Sequence, residues 1–589
     1  MKTALSFLAA PMLFAGSMLF AGSMLFAGSL HAADDLVLTR DGTTDYVIVM
    51  PRRASPATGR GAQELARHLK LMSGADFKII DDTSPAPAHA ILLGVAPPGE
   101  TLDSGANADL GADGFVIRTV GGRVYVVGPG PRGTMYGCSA MLESLGVRWF
   151  TPTVTSAPAR PTIALAPINS REVPAFEYRE PFFAEAFNKD WAARLRLNGN
   201  TPALDESTGG KIAYAEFVHT FDSLIPPSLF DTLPEYFPLI DGKRTGGYVQ
   251  RCLSNPDVLS LAIAGVKRAF AARPDAVIMS VSQNDCGAWC QCDACKAITE
   301  KYRAHSGLYL WFVNQVAEAI EKDHPGKLID TLAYQFTEAP PKGIVPRDNV
   351  RVRLCPIAVC EAHAYERCDF PATREFVANL HAWSTITSTL YIWHYNTDFA
   401  NYLMPFPDFD EFPADLRLYQ KSGVKGVFFQ GAYAPGGGGS DAELRSYVMA
   451  KILWNPALDA DALVSEWMQG VYGPAWKPMR EWFDLLHQRA RVPQNHLRIY
   501  DPPSDAFFPP EVRGAGDKLF DEAMKLAAND QQRRDVSKAR MWLRYVKLVM
   551  EPRDDRTLDA FLNDARAFGI TSLNEGGTLE SWASWYRSR

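Results

Sequence analysis

Val277-Ile-Met-Ser-Val-Ser-Gln-Asn-Asp-Cys-Gly-Ala-Trp-Cys-Gln-Cys-Asp-Ala-Cys-Lys296 opens as an apolar run fit for a buried strand and ends in polar groups and four cysteines. A strand that runs out into Asn284 and Asp285, in a loop carrying Gly287 and Trp289, has the form of an active-site lip on a parallel α/β sheet. Six further strand-like runs surround it in sequence, at residues 176–179, 215–221, 328–334, 350–354, 389–393 and 426–429, with helical periodicity at 256–273, 308–323 and 372–383. Strand and helix alternation across residues 171–455 fits an α/β fold of the (β/α)8 TIM-barrel type, one strand short in this count.

Outside that region the patterning changes twice. Residues 33–170 alternate strand and helix signals on a smaller scale, a compact α/β domain, and Pro158, Pro161 and Pro167 space a linker behind it. The turn Gly128-Pro-Gly-Pro-Arg-Gly133 is no phosphate loop. It lacks Gly-Lys-Ser/Thr, and its prolines remove N–H donors that a phosphate cradle needs. From residue 456 to 589 beta signals vanish, and a helical domain is expected. Residues 1–32 follow Lys2 with a long apolar run and end in Leu-His-Ala, which reads as an export signal cleaved near Ala32. Periplasmic or secreted placement follows, without stable membrane insertion after cleavage.

The formal net charge of −7 offers no basic field for a phosphate backbone, so nucleic acid is not an expected partner. Export would permit disulfides among the nine cysteines, though an odd number leaves one over. Cys290, Cys292 and Cys295 could instead be three thiolates of a structural zinc site, with Cys286 or a distant cysteine as the fourth. The disulfide or free-thiol reading is preferred, and neither a cofactor nor a catalytic metal is expected.

Catalytic candidates are the polar residues that follow strands. Asp285 ranks first, although an Asp capping a loop would look the same. Glu361, between Val359 and Ala362, ranks second, because burial there would raise its pKa and keep it protonated as an acid. Glu338 is held in reserve beside Pro340 and Pro341. Trp393 and Tyr395, two apart on one strand, share a face. Together with Arg179, His219 and Asn284 they are the candidate substrate-binding groups. No His-Glu-x-x-His, Gly-x-Ser-x-Gly or Rossmann fingerprint is present, and paired carboxylates point to glycoside cleavage.

Several motifs carry a family likeness. They are Val281-Ser-Gln-Asn-Asp285 with Cys290-Gln-Cys292 and Cys295, Asp113-Gly-Phe115, Arg132-Gly133-x-x-Tyr136, Gly146-Val-Arg-Trp-Phe150, His219-Thr-Phe221, Pro234-Glu-Tyr-Phe237, Gly242-Lys-Arg244, Cys252-Leu-Ser-Asn-Pro256 and Ile392-Trp-His-Tyr395. Together they resemble the family described as domain of unknown function 4838. That family contains glycoside hydrolase family 163, endo-β-N-acetylglucosaminidases that cut the chitobiose core of complex N-glycans. The resemblance implies an N-terminal domain similar to that of hexosaminidases, an N-glycan or glycoprotein substrate, and retention with the substrate's 2-acetamido group as nucleophile. Asp285, helped by Asn284, would then orient the acetamide and Glu361 would protonate the leaving oxygen, or the two would exchange duties. An exo-acting glycosidase similar to α-glucuronidases and a non-catalytic glycan-binding protein are the other readings.

Overall fold

The computed structural model describes residues 35–101 and 105–588, and the expected export signal at 1–32 lies outside the described residues. Among those described, no helix is long and apolar enough to cross a membrane.

The N-terminal domain is a six-stranded mixed sheet in the order Asn169–Glu172, Phe115–Val120, Arg123–Val127, Ala90–Leu93, Val47–Met50, Ile79–Asp81. Helix Pro56–Ser73 starts where the Ser55 side chain accepts from the Thr58 amide and stops at Gly74, whose φ of 83° only glycine takes readily. It buries Leu65, Leu69 and Met72 beside helix Gly133–Ser144. The glycine-rich turn is the tight strand-to-helix passage the sequence implies: a Cβ on Gly133 would lie 2.3 Å from the Gly114 carbonyl oxygen. The proline-spaced run is not a free linker. It pairs Ile163–Leu165 with Leu36–Thr39 and supplies Asn169–Glu172 as an edge of the sheet.

The second sheet has six strands, all parallel: β1 Tyr178–Phe182, β2 Ile278–Ser280, β3 Leu328–Tyr334, β4 Val350–Cys355, β5 Leu390–Tyr395 and β6 Gly426–Gln430. They pair in the order β1-β6-β5-β4-β3-β2 and curl into a half-barrel. The barrel expected from the alternation is met as far as these six strands, and among the described residues no further regular strand completes the eight. Residues 215–221 are not a strand. Tyr214 makes an isolated parallel bridge to Ile278, and the chain then leaves the sheet through His219 at a φ of 53°.

Side chains close the seam that strands would otherwise close. Asn198 accepts the Arg179 amide on Oδ1 (3.0 Å) and the Ile212 amide on its carbonyl (2.8 Å), so one residue bridges β1 and the irregular segment. Its Nδ2 donates to Asp113 Oδ2 (2.9 Å). Gly199 must be small, because a Cβ there would sit 2.4 Å from Glu180 Cβ.

Asp113 also receives Arg179 Nη2 (3.0 Å) and the Arg132 guanidinium. Arg179 is wholly buried, donates to the Phe176 and Arg196 carbonyls, and lies 5.3 Å from the Trp454 ring centre. The candidate substrate-binding role of Arg179 is thus replaced by a structural one. Its guanidinium points away from the mouth of the sheet and ties the two domains together.

After β6 the chain is helical, as the patterning predicts, with Ala442–Trp454, Ala460–Tyr472, Trp476–Ala490, Pro510–Leu526, Asp530–Met550, Asp555–Ala567 and Leu579–Ser588. Ala442–Trp454 is buried almost all round, so it serves as core between the half-barrel and the later helices.

Burial would raise the Asp113 carboxyl, but the two guanidiniums hold it below its ordinary value. Asp113→Asn should cost about 3–5 kcal/mol in denaturant unfolding, since two buried cations lose their counter-charge. The wild-type advantage should be complete above the unfolded carboxyl's pKa of about 3.9 and shrink as pH falls through the lowered folded value. A pH-independent gap would show that the pairing is not its source.

Candidate active site

The strands end in a cleft of about 380 Å³. Period-two alternation turns Trp393 and Tyr395 of β5, Phe428 and Gln430 of β6, and Leu332 and Tyr334 of β3 to the same inner face, where all six line it. Its aromatic wall is continuous: Trp393 and Phe428 ring centres are 4.5 Å apart, Phe217 and Phe428 5.1 Å, and Phe182 and Tyr433 5.0 Å. Buried beneath the wall, Arg353 pairs with Asp330 at 3.1 Å and lies 4.6 Å from the Phe217 ring centre. Aromatic faces take part of the role of its missing hydrogen-bond partners at Nε and Nη1.

Two carboxylates stand in the cleft. Asp285, exposed near the start of the loop after β2, has its amide donating to Tyr248 Oη (3.0 Å) and shares the cleft lining with Tyr334. Burial, and then the Asp285 charge, push the Tyr334 phenol far above its ordinary value. Glu575 enters from the loop between the last two helices, fixed by its amide donating to the Phe399 carbonyl (2.7 Å). Its Oε1 accepts from Tyr433 Oη (2.9 Å) and Gln430 Nε2 (3.4 Å), while Gln430 Oε1 accepts from Trp393 Nε1 (2.8 Å). Tyr500, more than half exposed, is raised by burial and then by the charges of both Glu575 and Asp285, which places it beside the two.

His219 also lines the cleft. Its Nδ1 is 2.7 Å from the Gln283 carbonyl, which can only accept, so Nδ1 carries a proton and Nε2 is left to the cleft side. Its amide is held by Ser282 Oγ (2.9 Å), an anchor that fixes the left-handed turn.

Of the residues proposed from sequence, Asp285, His219, Trp393 and Tyr395 are brought together here. Asn284 is not: its Nδ2 is spent on Asp222 Oδ1 (2.5 Å) and the Val249 carbonyl (2.8 Å), under the loop that carries Asp285. Glu361 is not part of the lining either. It is wholly buried, accepts from Tyr365 Oη (2.7 Å), and lies 3.7 Å from His394 Nε2, which is 3.2 Å from Glu411 Oε1. Burial raises both carboxyls well above their usual range and lowers the His394 imidazole to about 3, so the trio is neutral. The three ligand atoms are close enough to one another to share a cation. Glu338, the reserve carboxylate, receives Asn379 Nδ2 (3.0 Å) outside the cleft.

Sequence reasoning missed Glu575, Gln430, Tyr433 and Tyr500. Asn574-Glu-Gly-Gly577 is a polar, glycine-rich loop within helical sequence, and it was the one available signal for Glu575. Burial and then Glu575 push the Tyr433 phenol up to about 12. Glu575→Gln should bring that ionisation down, measured by ultraviolet difference titration with Tyr433→Phe identifying the transition. An unmoved Tyr433 would break the proposed contact.

A family profile described as "Domain of unknown function (DUF4838)" matches residues 149–484, more than half of the chain, leaving Tyr500 and Glu575 beyond it. Among curated proteins no sequence matches. Among solved structures, the chain is similar to a family GH115 4-O-methyl-α-glucuronidase with specificity for decorated arabinogalactans. Identity is 13%, the TM-score 0.56, with 91% of this chain and 76% of that one covered. It is also similar to a GH138 enzyme targeting pectin rhamnogalacturonan II, at 10% identity and a TM-score of 0.52, with 92% and 78% covered. At such identities the likeness is one of fold.

Proposed function

The chain belongs to the DUF4838 family, and on that footing we propose that it is a glycoside hydrolase cutting the β-1,4 linkage between the two N-acetylglucosamines of the chitobiose core of complex N-glycans. The observation that carries the reading is the pair Asp285 and Glu575 in an aromatic cleft at the strand ends of a curled parallel sheet. Similarity of fold to two carbohydrate-active enzymes supports it, as does the motif set around Asp285.

Charge separates this reading from an exo-acting enzyme of the glucuronidase kind. Among the described lining residues there is no lysine or arginine, and two carboxylates face the space. A uronic acid would bring a third negative charge with no cation to meet it, whereas N-acetylglucosamine is neutral. Rings such as Trp393 and Phe217 suit the C–H face of a sugar.

In the proposed mechanism the substrate's acetamide oxygen attacks C1 as the bond to the leaving oxygen breaks. Glu575, already oriented by Tyr433 and Gln430 through Oε1, accepts the acetamide N–H on its other oxygen and stabilises the cyclic cation. Asp285 donates its proton to the leaving oxygen, then takes one back from the water that attacks C1, and configuration is retained. Action on glycoproteins outside the cytoplasm accords with the export signal proposed for residues 1–32.

The test is incubation with a glycoprotein bearing complex N-glycans, followed by mass spectrometry. An intact glycan should be released with one N-acetylglucosamine left on the protein. Only terminal monosaccharides would establish the exo reading, and binding without turnover the lectin-like one. Asp285→Asn and Glu575→Gln should each lower kcat/KM by about 10²–10⁴, while folded Glu361→Gln stays near wild type. Unchanged turnover in both cleft variants would sink the assignment of the site.

A further inference from the structure

Two clusters of thiols and imidazoles stand away from the cleft, each on a loop that feeds it. The first gathers Cys252, Cys290, Cys292 and Cys295, all four sulfurs within 4.8 Å of one another. Cys252 Sγ is 3.7 Å from Cys292 Sγ and 4.0 Å from Cys295 Sγ. A disulfide would require about 2.05 Å. Four thiolates at a Zn–S distance of about 2.3 Å form a tetrahedron whose edges are about 3.8 Å. Donors surround the sulfurs: the Leu239 amide reaches Cys290 Sγ at 3.3 Å, Arg244 Nη1 at 3.8 Å, and the Ser254 hydroxyl is 3.6 Å from both Cys252 Sγ and Cys292 Sγ. Such N–H and O–H groups stabilise negative sulfur and orient it.

The second cluster is Cys360, His363, Cys368 and His496, again within 4.8 Å. Cys360 Sγ lies 3.5 Å from His363 Nδ1, Cys368 Sγ 3.9 Å from the same nitrogen, and Cys368 Sγ 4.0 Å from His496 Nδ1. A tetrahedral S–Zn–N edge, with Zn–N about 2.0–2.1 Å, is about 3.5 Å. The far nitrogens settle the tautomers. His363 Nε2 faces the Val492 carbonyl (3.3 Å) and His496 Nε2 faces Asp369 Oδ1 (3.4 Å). Both partners accept, so the proton sits on Nε2 and each Nδ1 lone pair is turned toward the sulfurs.

We propose that each cluster binds one zinc ion, the first through four thiolates and the second through two thiolates and two imidazoles. Both sites are closed and structural, with their thiol protons released to solvent on loading. The proposal takes the structural-zinc alternative over the disulfide or free-thiol reading preferred from the sequence. The four-thiolate ion joins the turn carrying Tyr248 to the loop carrying Asp285. The ion of the mixed cluster joins the loop after β4 to the segment leading into Tyr500. Each metal braces one rim of the cleft without touching its contents.

Full-length protein purified without chelators or a metal-affinity step should hold about two zinc ions per chain by inductively coupled plasma mass spectrometry. Cys292→Ser and His496→Ala should each hold about one, and the double variant none. Should the variants fail to fold, wild-type protein titrated with an organomercurial should release zinc in two stoichiometric steps, read with a chromogenic chelator. Cobalt exchange should give tetrahedral bands with thiolate charge transfer. Wild-type protein without zinc, iron in its place, or disulfides at Cys252 or Cys360 in non-reducing peptide maps would overturn the proposal. One ion per chain would overturn it for the cluster whose cysteines alkylate in the folded protein.

Discussion

A buried carboxylate held by two guanidiniums and an amide is the contact on which the architecture depends. Asp113 belongs to the N-terminal domain, while Arg179 and Asn198 belong to the half-barrel. One set of hydrogen bonds therefore performs two tasks: it docks the domains and supplies the seam partner that β1 lacks on its free side. Backbone polar groups inside a protein must be paired, and where no strand is available a side-chain amide must stand in. The cost of desolvating these charges is offset only while every partner remains in place.

With the seam closed, the sheet can be irregular on one side and aromatic at its mouth. Arg353 lies within about 6 Å of five ring centres, and its charge is met beneath the floor by Asp330 and does not reach the surface. Above it the lining is apolar except for a few fixed polar groups. That combination binds flat, neutral, hydroxyl-rich molecules better than charged ones. Trp393, Gln430, Glu575 and Tyr433 form one hydrogen-bonded chain, so the stacking surface and the carboxylate are held in register by the same network.

Much of this is legible in the amino-acid order, and what is not has definite causes. Strand periodicity locates six of the seven anticipated strands, and ranking polar and aromatic residues by strand ends selects Asp285, His219, Trp393 and Tyr395, which share the cleft lining. The same rule misplaces Glu361. Its burial and the upward shift of its pKa are anticipated from Val359 and Ala362, but burial this deep removes the group from the space it was to serve. Arg179 fails because a strand-end arginine looks the same whether it meets a ligand or Asp113 from 66 positions upstream. The seam fails because Asn198 replaces a ladder, and no propensity scale marks an asparagine that acts as a strand. Glu575 is joined to Tyr433 across 142 positions, a pairing that only the packed helical domain defines.

That last separation bears on folding as well as on chemistry. Asp285 and Glu575 meet only after the half-barrel has formed and the helices beyond it have docked, because the loop bearing Glu575 is pinned to Phe399. A ribosome must add the whole intervening stretch before the two carboxylates can share a cavity, and contacts of such sequence separation are late in folding. A partly made chain would thus carry an aromatic groove but lack half of its charged pair, so that any activity dependent on both is silent until synthesis has passed both and the molecule is assembled.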